Sequence, residues 1–291
     1  MKELGPAKNY IGITIDYKVN SKMMNLSQKA YIETVAEKYQ STKSKSYKTH
    51  IEKNSKLDKK ETADFDLQYR NLNGALLYIC TGTRPDISFS VNTVNYLSRF
   101  QNCYDKTHYK HALRVLKYLY ETKDLNLTFD CNLNCHEILD RFVDSDWAGD
   151  SIGRKSTSGY LIRFYGNLIY WKTHKQGIVT KSSTFAEYVA LSETVTEALV
   201  IKDLLAEFEI KINKPVSIYE DNSGAIAIAK NGNLTKNSRN IEIHYHYVHE
   251  SYLKNEIDVI KVDTKDNLAD ILTKASSKEE FIKFRKLLKI K

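Results

Sequence analysis

The chain is poor in cysteine and proline and has no long hydrophobic run. Its 291 residues include four Cys and three Pro, and no apolar run approaches the roughly 18 residues that a membrane-spanning helix needs. Four cysteines are too few for a disulfide framework. Cys80 and Cys103 fall in helix-like apolar stretches, so we predict that both are buried free thiols. The first residues lack the apolar core of a signal peptide, and we expect an intracellular protein without a membrane partner.

The length and the charge distribution predict two domains. The chain exceeds the roughly 100 to 200 residues of a typical domain. Residues 1–136 contain 21 Lys and Arg against 14 Asp and Glu, whereas residues 137–291 contain 23 against 22. The net charge of +8 therefore lies almost entirely in the first part. A basic part beside a neutral one is typical of a module that contacts a phosphate backbone next to one that needs local acidity. The alternative is that the charge excess serves only to keep the domain soluble.

Residues 1–136 are predicted to be mainly helical after two short strands. Residues 41–66 have few apolar side chains and no periodicity, which predicts an exposed connection. Three helical segments follow, the last from about Lys106 to Thr122. Three cations of this last helix share one face: Lys110, Arg114 and Lys117. That face is either simply solvated or in contact with a nucleic-acid backbone.

From Glu137 onward, strands and helices alternate. The predicted order is three strands at about 139–145, 159–165 and 168–173, a long helix at 183–208, a strand at 216–219, two helices at 225–229 and 241–254, a strand at 257–262, and a last helix. This order predicts an α/β fold in which helices flank a mixed five-stranded sheet. We place the domain boundary between residues 136 and 137.

Four carboxylates lie where a predicted strand or helix meets a polar loop: Asp144, Glu187, Asp221 and Asp270. Asp144 and Asp221 close the first and fourth strands, so neighbouring strands would bring these two side chains together. Each residue also has an ordinary structural explanation. Glu187 could belong to a capping box, Asp270 could interact with a helix dipole, and strand-end aspartates often form turns. Asp146 lies on the same strand face as Asp144 and competes with it for the first position.

Several longer motifs contain these carboxylates. They are Val143-Asp-Ser-Asp-Trp-Ala-Gly149, Arg154-Lys-Ser-Thr-Ser-Gly-Tyr160, Ser182-Ser-Thr-Phe-Ala-Glu-Tyr188, Tyr219-Glu-Asp-Asn222 and Leu268-Ala-Asp-Ile-Leu-Thr-Lys274. In order and spacing they resemble the ribonuclease H domain of copia-type retrotransposon polyproteins. The upstream part resembles the thumb and connection stretch that follows the polymerase palm in the same polyproteins. Its matching segments are Tyr10-Ile-Gly-Ile13, Leu26-Ser-Gln-Lys29, Thr83-Arg-Pro-Asp-Ile87 and Ala112-Leu-Arg-Val-Leu-Lys-Tyr-Leu119.

The resemblance implies a metal-dependent endonuclease that cleaves the RNA strand of RNA/DNA hybrids. Its active site would be Asp144, Glu187, Asp221 and Asp270, with two Mg²⁺ ions for which Mn²⁺ can substitute. Hard cations prefer carboxylate oxygens, and a pair of them stabilises in-line displacement at phosphorus. In the family, the residue at Asp144 bridges both ions, those at Asp221 and Glu187 hold the ion on the leaving-group side, and that at Asp270 holds the ion that activates water. The implied partners are the hybrid and the upstream reverse transcriptase portion, in a cytoplasmic virus-like particle or the nucleus.

Two departures from the family pattern bear on function. Many ribonucleases H carry a mobile histidine before the last aspartate, whereas Val259 to Asn267 contains none, so we expect no proton shuttle there and slow turnover. We expect the histidines between residues 244 and 249 to serve packing or hybrid contact rather than metal binding. No Tyr-x-Asp-Asp motif occurs between Met1 and Asp130, so this chain alone should not polymerise DNA. The alternative functions are a catalytically silent nucleic-acid-binding remnant and a docking module for the polymerase.

Overall fold

The computed structural model describes residues 5–42, 47–52, 57, 67–91, 97–131, 137–149, 153–232 and 242–291. In chain order the elements are β1 (Asn9–Tyr10), β2 (Ile13–Lys18), β3 (Met23–Ser27), α1 (Lys29–Lys38), α2 (Tyr69–Gly82), α3 (Ser88–Val91), α4 (Lys106–Glu121), β4 (Leu127–Asp130), β5 (Leu139–Asp146), β6 (Thr157–Phe164), β7 (Asn167–Lys175), α5 (Ser183–Glu207), β8 (Val216–Glu220), α6 (Ser223–Asn231), α7 (Glu242–Leu253), β9 (Ile257–Lys261), α8 (Asp270–Thr273) and α9 (Lys278–Leu287). Short 3₁₀ turns occupy Pro85–Ile87, Ser98–Phe100 and Thr264–Asp266.

The chain divides into two units. The first contains Met1–Cys131 together with Ala275–Lys291, and the second contains Asn132–Lys274. The C-terminal segment from Ala275, which the sequence analysis assigned to the second domain, therefore lies in the first unit. Most of the expected connection at 41–66 and the boundary residues 132–136 fall outside the described residues. That 1–136 and 137–291 are separable domains stays a prediction.

The first unit combines helices with a four-stranded antiparallel sheet in the order β1-β2-β3-β4. Strand β4 was not predicted from the sequence, and it pairs with β3 across a long stretch of chain. The C-terminus joins the same region, since the backbones of Asn126 and Lys291 exchange two hydrogen bonds of 2.9 and 3.0 Å. This pairing explains why the last residues belong to the first unit. Cys80 and Cys103 are buried free thiols, which confirms the prediction.

The second unit contains a five-stranded sheet in the order β7-β6-β5-β8-β9. Strands β5, β6 and β7 form an antiparallel meander, whereas β8 runs parallel to both β5 and β9. The core packs side chains of the sheet, such as Val143, Ile218 and Val259, against those of α5, such as Val189 and Ala190. The predicted mixed five-stranded sheet with flanking helices is therefore confirmed. Because β5 lies at the centre of the sheet, its side chains are almost all buried.

None of the helices in the described ranges combines the length and the apolar character that crossing a membrane would require.

Candidate active site

Asp144 and Asp221 meet because β5 and β8 are neighbouring parallel strands. In this pair Phe142 lies opposite Tyr219, and the two rings stack with their centroids 4.8 Å apart. Asp144 and Asp221 each lie two residues further along, and side chains two apart on a strand point to the same face. The parallel register therefore brings both carboxylates to the same edge of the sheet.

Glu187 joins this pair from the second turn of α5. The helix is capped by Ser182, whose Oγ accepts a hydrogen bond from the Phe185 backbone N–H at 3.2 Å. Because the cap lies at Ser182, the Glu187 carboxylate is not part of a capping box. It is instead buried, and its Oε2 accepts no hydrogen bond within the described ranges.

The three carboxylates form a compact group. One oxygen from each of Asp144, Glu187 and Asp221 lies within 4.8 Å of the other two. Asp146, the rival of Asp144, lies outside this group. Burial, followed by the negative charge of Asp144, raises the pKa of Asp146 to about 6.

Asp270 is not a member of the group of three but is tied to Asp144 through Lys274. The Lys274 Nζ lies 2.9 Å from Asp270 Oδ1 and 3.5 Å from Asp144 Oδ1. The neighbouring Thr273 donates a hydrogen bond from Oγ1 to Asp144 Oδ2. The short helix α8 and the residue that follows it therefore bring a carboxylate, a hydroxyl and an ammonium group to Asp144.

The packing of α8 against the sheet depends on a glycine. Gly159 on β6 lies opposite Asp144 in the antiparallel register. A Cβ atom added at Gly159 would lie 2.5 Å from Thr273 Cγ2 and 2.9 Å from Leu272 Cβ. Two hydrogen bonds also hold the α8 region against the sheet. The Thr173 hydroxyl donates to the Leu272 carbonyl at 3.1 Å, and the Asn267 side-chain amide donates to the Val143 carbonyl at 2.8 Å.

The electrostatics of the site are those of crowded, buried acids. Burial raises the pKa of Glu187 well above its usual value, and the charges of Glu220, Asp144 and Asp221 add to the effect. Burial and the charge of Asp144 raise the pKa of Asp270 to about 8. A positive charge at these oxygens would favour their ionised forms.

These properties fit a divalent metal ion. The donors are hard carboxylate oxygens, which Mg²⁺ and Mn²⁺ prefer. They lie close enough together to share an ion, and Glu187 Oε2 is buried without a donor in the described part of the chain. Asp144, Glu187 and Asp221 can hold one ion, and Asp144 with Asp270 offers oxygens for a second.

Sequence reasoning missed three further residues at this site: Glu220, Thr273 and Lys274. Glu220 is fully buried, and its Oε1 accepts the Asn222 backbone N–H at 2.8 Å. Burial by itself would lower the pKa of Lys274, but Asp144 and Asp270 outweigh burial and raise that pKa above its usual range. All three residues lie inside the motifs that carry the family resemblance. Their place inside those motifs was the sequence feature by which they could have been found.

The three cations on the α4 face, Lys110, Arg114 and Lys117, are not equally accessible. Lys110 is exposed, whereas the Arg114 guanidinium pairs with Glu52 and lies over the Tyr47 ring at 4.4 Å from its centroid. Lys117 is partly buried. The structure thus leaves Lys110 as the most accessible of the three, and their contact with nucleic acid stays a prediction.

The three histidines of α7 do not form a metal-binding group among the described residues. His244 Nδ1 lies 3.0 Å from Ser192 Oγ, and His249 Nδ1 lies 2.8 Å from the Ala229 carbonyl oxygen. His246 is exposed beside the Tyr245 ring. Two of these imidazole rings therefore form hydrogen bonds within the fold.

Comparisons with known proteins give relatives for nearly the whole chain, although no family model matches it. The chain is 34% identical over 289 residues to the retrovirus-related Pol polyprotein from transposon TNT 1-94 of Nicotiana tabacum, a match that covers 97% of this chain and 21% of that protein. It is 36% identical over 219 residues to the Pol polyprotein from transposon RE1 of Arabidopsis thaliana, covering 75% of this chain and 14% of that protein.

Among solved structures, LC11-RNase H1, isolated from compost, shares 15% identity with a TM-score of 0.37, covering 50% of this chain and 96% of that one. The prototype foamy virus protease-reverse transcriptase shares 12% identity with a TM-score of 0.35, covering 68% of this chain and 24% of that one. The chain spans only 21% and 14% of the length of the two polyprotein relatives.

Proposed function

Because the chain belongs to the copia-type retrotransposon Pol polyproteins, we propose that its second unit is a ribonuclease H, a metal-dependent endonuclease that hydrolyses the RNA strand of RNA/DNA hybrids. The observation that carries the proposal is the convergence of Asp144, Glu187 and Asp221 from three separate elements, with their oxygens within 4.8 Å of one another. Strand ends and turns often carry single aspartates. Three mutually close carboxylates, of which Asp144 and Glu187 are buried, are costly unless a cation compensates them.

The residues that would hold the metal ions follow from the donor set. Asp144, Glu187 and Asp221 would hold one Mg²⁺ or Mn²⁺, and Asp144 together with Asp270 would hold a second. When bound, such ions neutralise charge at the scissile phosphate and lower the pKa of coordinated water. The family pattern assigns Asp144 to both ions. Asp144 belongs to the group of three carboxylates and also accepts a hydrogen bond from Thr273 of α8.

Neighbouring residues position these carboxylates. The Thr273 hydroxyl donates to Asp144 Oδ2 and limits rotation of that carboxylate. Glu220 Oε1 accepts the Asn222 N–H and holds the turn that carries Asp221. Glu187 is held by its place on a helix whose first turns pack into the core. Such rigid support lets metal and substrate bind without prior rearrangement.

The proposed substrate is a duplex whose phosphate backbone reaches this edge of the sheet. The first unit, with its net positive charge and the exposed Lys110, is proposed to add affinity for that duplex rather than chemistry. No Tyr-x-Asp-Asp motif occurs between Met1 and Asp130, so polymerisation is not part of the proposed function.

Cleavage of a hybrid with a labelled RNA strand tests the proposal. The full chain with Mg²⁺ should cut the RNA strand, and Asp221→Asn should lower the rate by at least about 100-fold because one oxygen ligand loses its charge. The matched control is Asp203→Asn, which changes an exposed aspartate on α5 and should leave the rate unchanged. Hybrid binding without cleavage by the unaltered chain would favour the silent nucleic-acid-binding alternative.

A further inference from the structure

The Lys274 ammonium group is the counter-ion of the Asp144–Asp270 pair. Its Nζ lies 2.9 Å from Asp270 Oδ1 and 3.5 Å from Asp144 Oδ1. The other lysine near the site, Lys261, contacts the Asp221 backbone carbonyl instead. Within the described ranges, Lys274 is thus the cation that pairs with these two carboxylates.

The contacts of Lys274 overlap those that a second metal ion would need. Asp144 Oδ2 is engaged by the Thr273 hydroxyl, and Asp144 Oδ1 and Asp270 Oδ1 face the ammonium group. A divalent cation bound by the same two carboxylates would have to share their oxygens with Nζ. Two positive groups on the same oxygens repel strongly where solvent screening is weak, and the Asp144 side chain is only 2% exposed.

The Lys274 side chain is free to move away from the two carboxylates. Its side chain is 42% exposed, in contrast to the carboxylates that it contacts. It lies directly after the last residue of α8. Rotation of its flexible stem can carry the ammonium group into water at modest cost.

We propose that Lys274 is a built-in competitor of the second divalent cation. In the absence of metal its ammonium group offsets part of the negative charge of the Asp144–Asp270 pair, and it must move away before that ion binds. This inference rests on the proposed function. It implies that Lys274 stabilises the metal-free fold and raises the metal concentration needed to fill the second position. By linkage, a group that binds the same oxygens in the empty state weakens the apparent affinity for the ion.

Calorimetric titration of the full chain with Mn²⁺ alone, without nucleic acid, tests this proposal. Lys274→Gln should tighten the weaker Mn²⁺ site by about tenfold, equivalent to about 1.4 kcal/mol. Lys274→Met, which keeps the aliphatic stem, should tighten it equally, whereas Lys274→Arg should bind Mn²⁺ like the unaltered chain. The matched control is Lys254→Gln, which removes another lysine from an i,i+4 ion pair, with Glu250, away from the site, and should change nothing.

Thermal unfolding supplies a second readout. Without metal, Lys274→Gln should melt below the unaltered chain, and saturating Mn²⁺ should raise its melting temperature by a larger amount. Equal Mn²⁺ affinities for Lys274→Gln and the unaltered chain, or weaker binding by the variant, would overturn the competitor role while leaving the proposed nuclease intact. Absence of Mn²⁺ binding by every variant would overturn the proposed function, and this inference with it.

Discussion

Replacing Gly159 by alanine tests whether the close packing of α8 against β6 sets the geometry of the site. The added Cβ would meet Thr273 Cγ2 at 2.5 Å and Leu272 Cβ at 2.9 Å. Ordinary contacts between carbon atoms are about 3.5 to 4.0 Å. Rotation of Thr273 cannot relieve the clash freely, because its hydroxyl donates to Asp144. The variant must therefore push α8 away from the sheet by about 1 Å, a distance that follows from those contact lengths.

The expected magnitude follows from that displacement. Because α8 carries Asp270, a shift of about 1 Å at a catalytic group should lower the cleavage rate by about 100-fold. Overpacking in a filled interior should also lower the free energy of unfolding by about 1 to 3 kcal/mol. No carboxylate is changed, so the loss would be purely geometric.

Single-turnover hybrid cleavage with Mg²⁺, measured beside thermal unfolding, separates the two effects. Gly177→Ala is the matched control, since a Cβ there meets no atom within 4 Å, and it should retain full rate and stability. Thr273→Ser added to Gly159→Ala removes the nearer clashing methyl group but keeps the hydroxyl, so it should restore part of the rate. Full activity of Gly159→Ala at unchanged stability would refute the reasoning, as would a double variant no better than the single one.

Other changes test the carboxylate register, the buried histidine of the first unit and the basic helix face. Asp144→Asn should abolish cleavage with the fold retained, and Asp146→Asn should cost less; the reverse result would put Asp146 in the first position. Burial lowers the pKa of His50 from 6.5 to about 4, so the folded form resists protonation and should lose up to about 3 kcal/mol of stability as the pH falls from 6.5 to 4. His50→Asn should reduce this loss of unfolding free energy between pH 6.5 and 4, as measured by denaturant titration at each pH. An unchanged pH dependence would exclude this histidine as the cause. Joint Lys110→Gln and Lys117→Gln substitution should reduce the salt slope of hybrid binding by about 1.8 units, whereas an unchanged slope would show that this face does not contact the duplex.

Elements with a strong local pattern were predictable from the sequence. The long helix expected at residues 183–208 corresponds to α5, Ser183–Glu207, because the stretch is rich in helix formers and contains no glycine or proline. The strand expected at 216–219 corresponds to β8, Val216–Glu220. Strand β4 was missed because Leu127–Asp130 is only four residues long and depends on pairing with distant β3. Local periodicity contains no information about such partners.

The site was predictable in residue types but not in its contacts. That Asp144 and Asp221 lie near the ends of two strands could be predicted from the sequence, although β5 continues to Asp146 and β8 ends at Glu220. The parallel pairing of β5 with β8 then brings the two residues together. The Lys274 contact could not be predicted, because it depends on where α8 ends, in a region for which the sequence predicted a single last helix. Instead α8 ends at Thr273 and α9 begins at Lys278. The need for glycine at position 159 depends in the same way on a tertiary approach.

The most direct test of the central claim is strand-specific cleavage of an RNA/DNA hybrid by the full chain. The hybrid carries different labels on its RNA and DNA strands and is incubated with Mg²⁺ or with a chelator. The proposed function predicts that the RNA strand alone is cut, that chelation stops cleavage, and that Asp144→Asn is inactive although it remains folded. Cleavage that persists with the chelator or in Asp144→Asn, or no cleavage of the RNA strand with either Mg²⁺ or Mn²⁺, would contradict the assignment of these carboxylates to a metal-dependent ribonuclease H.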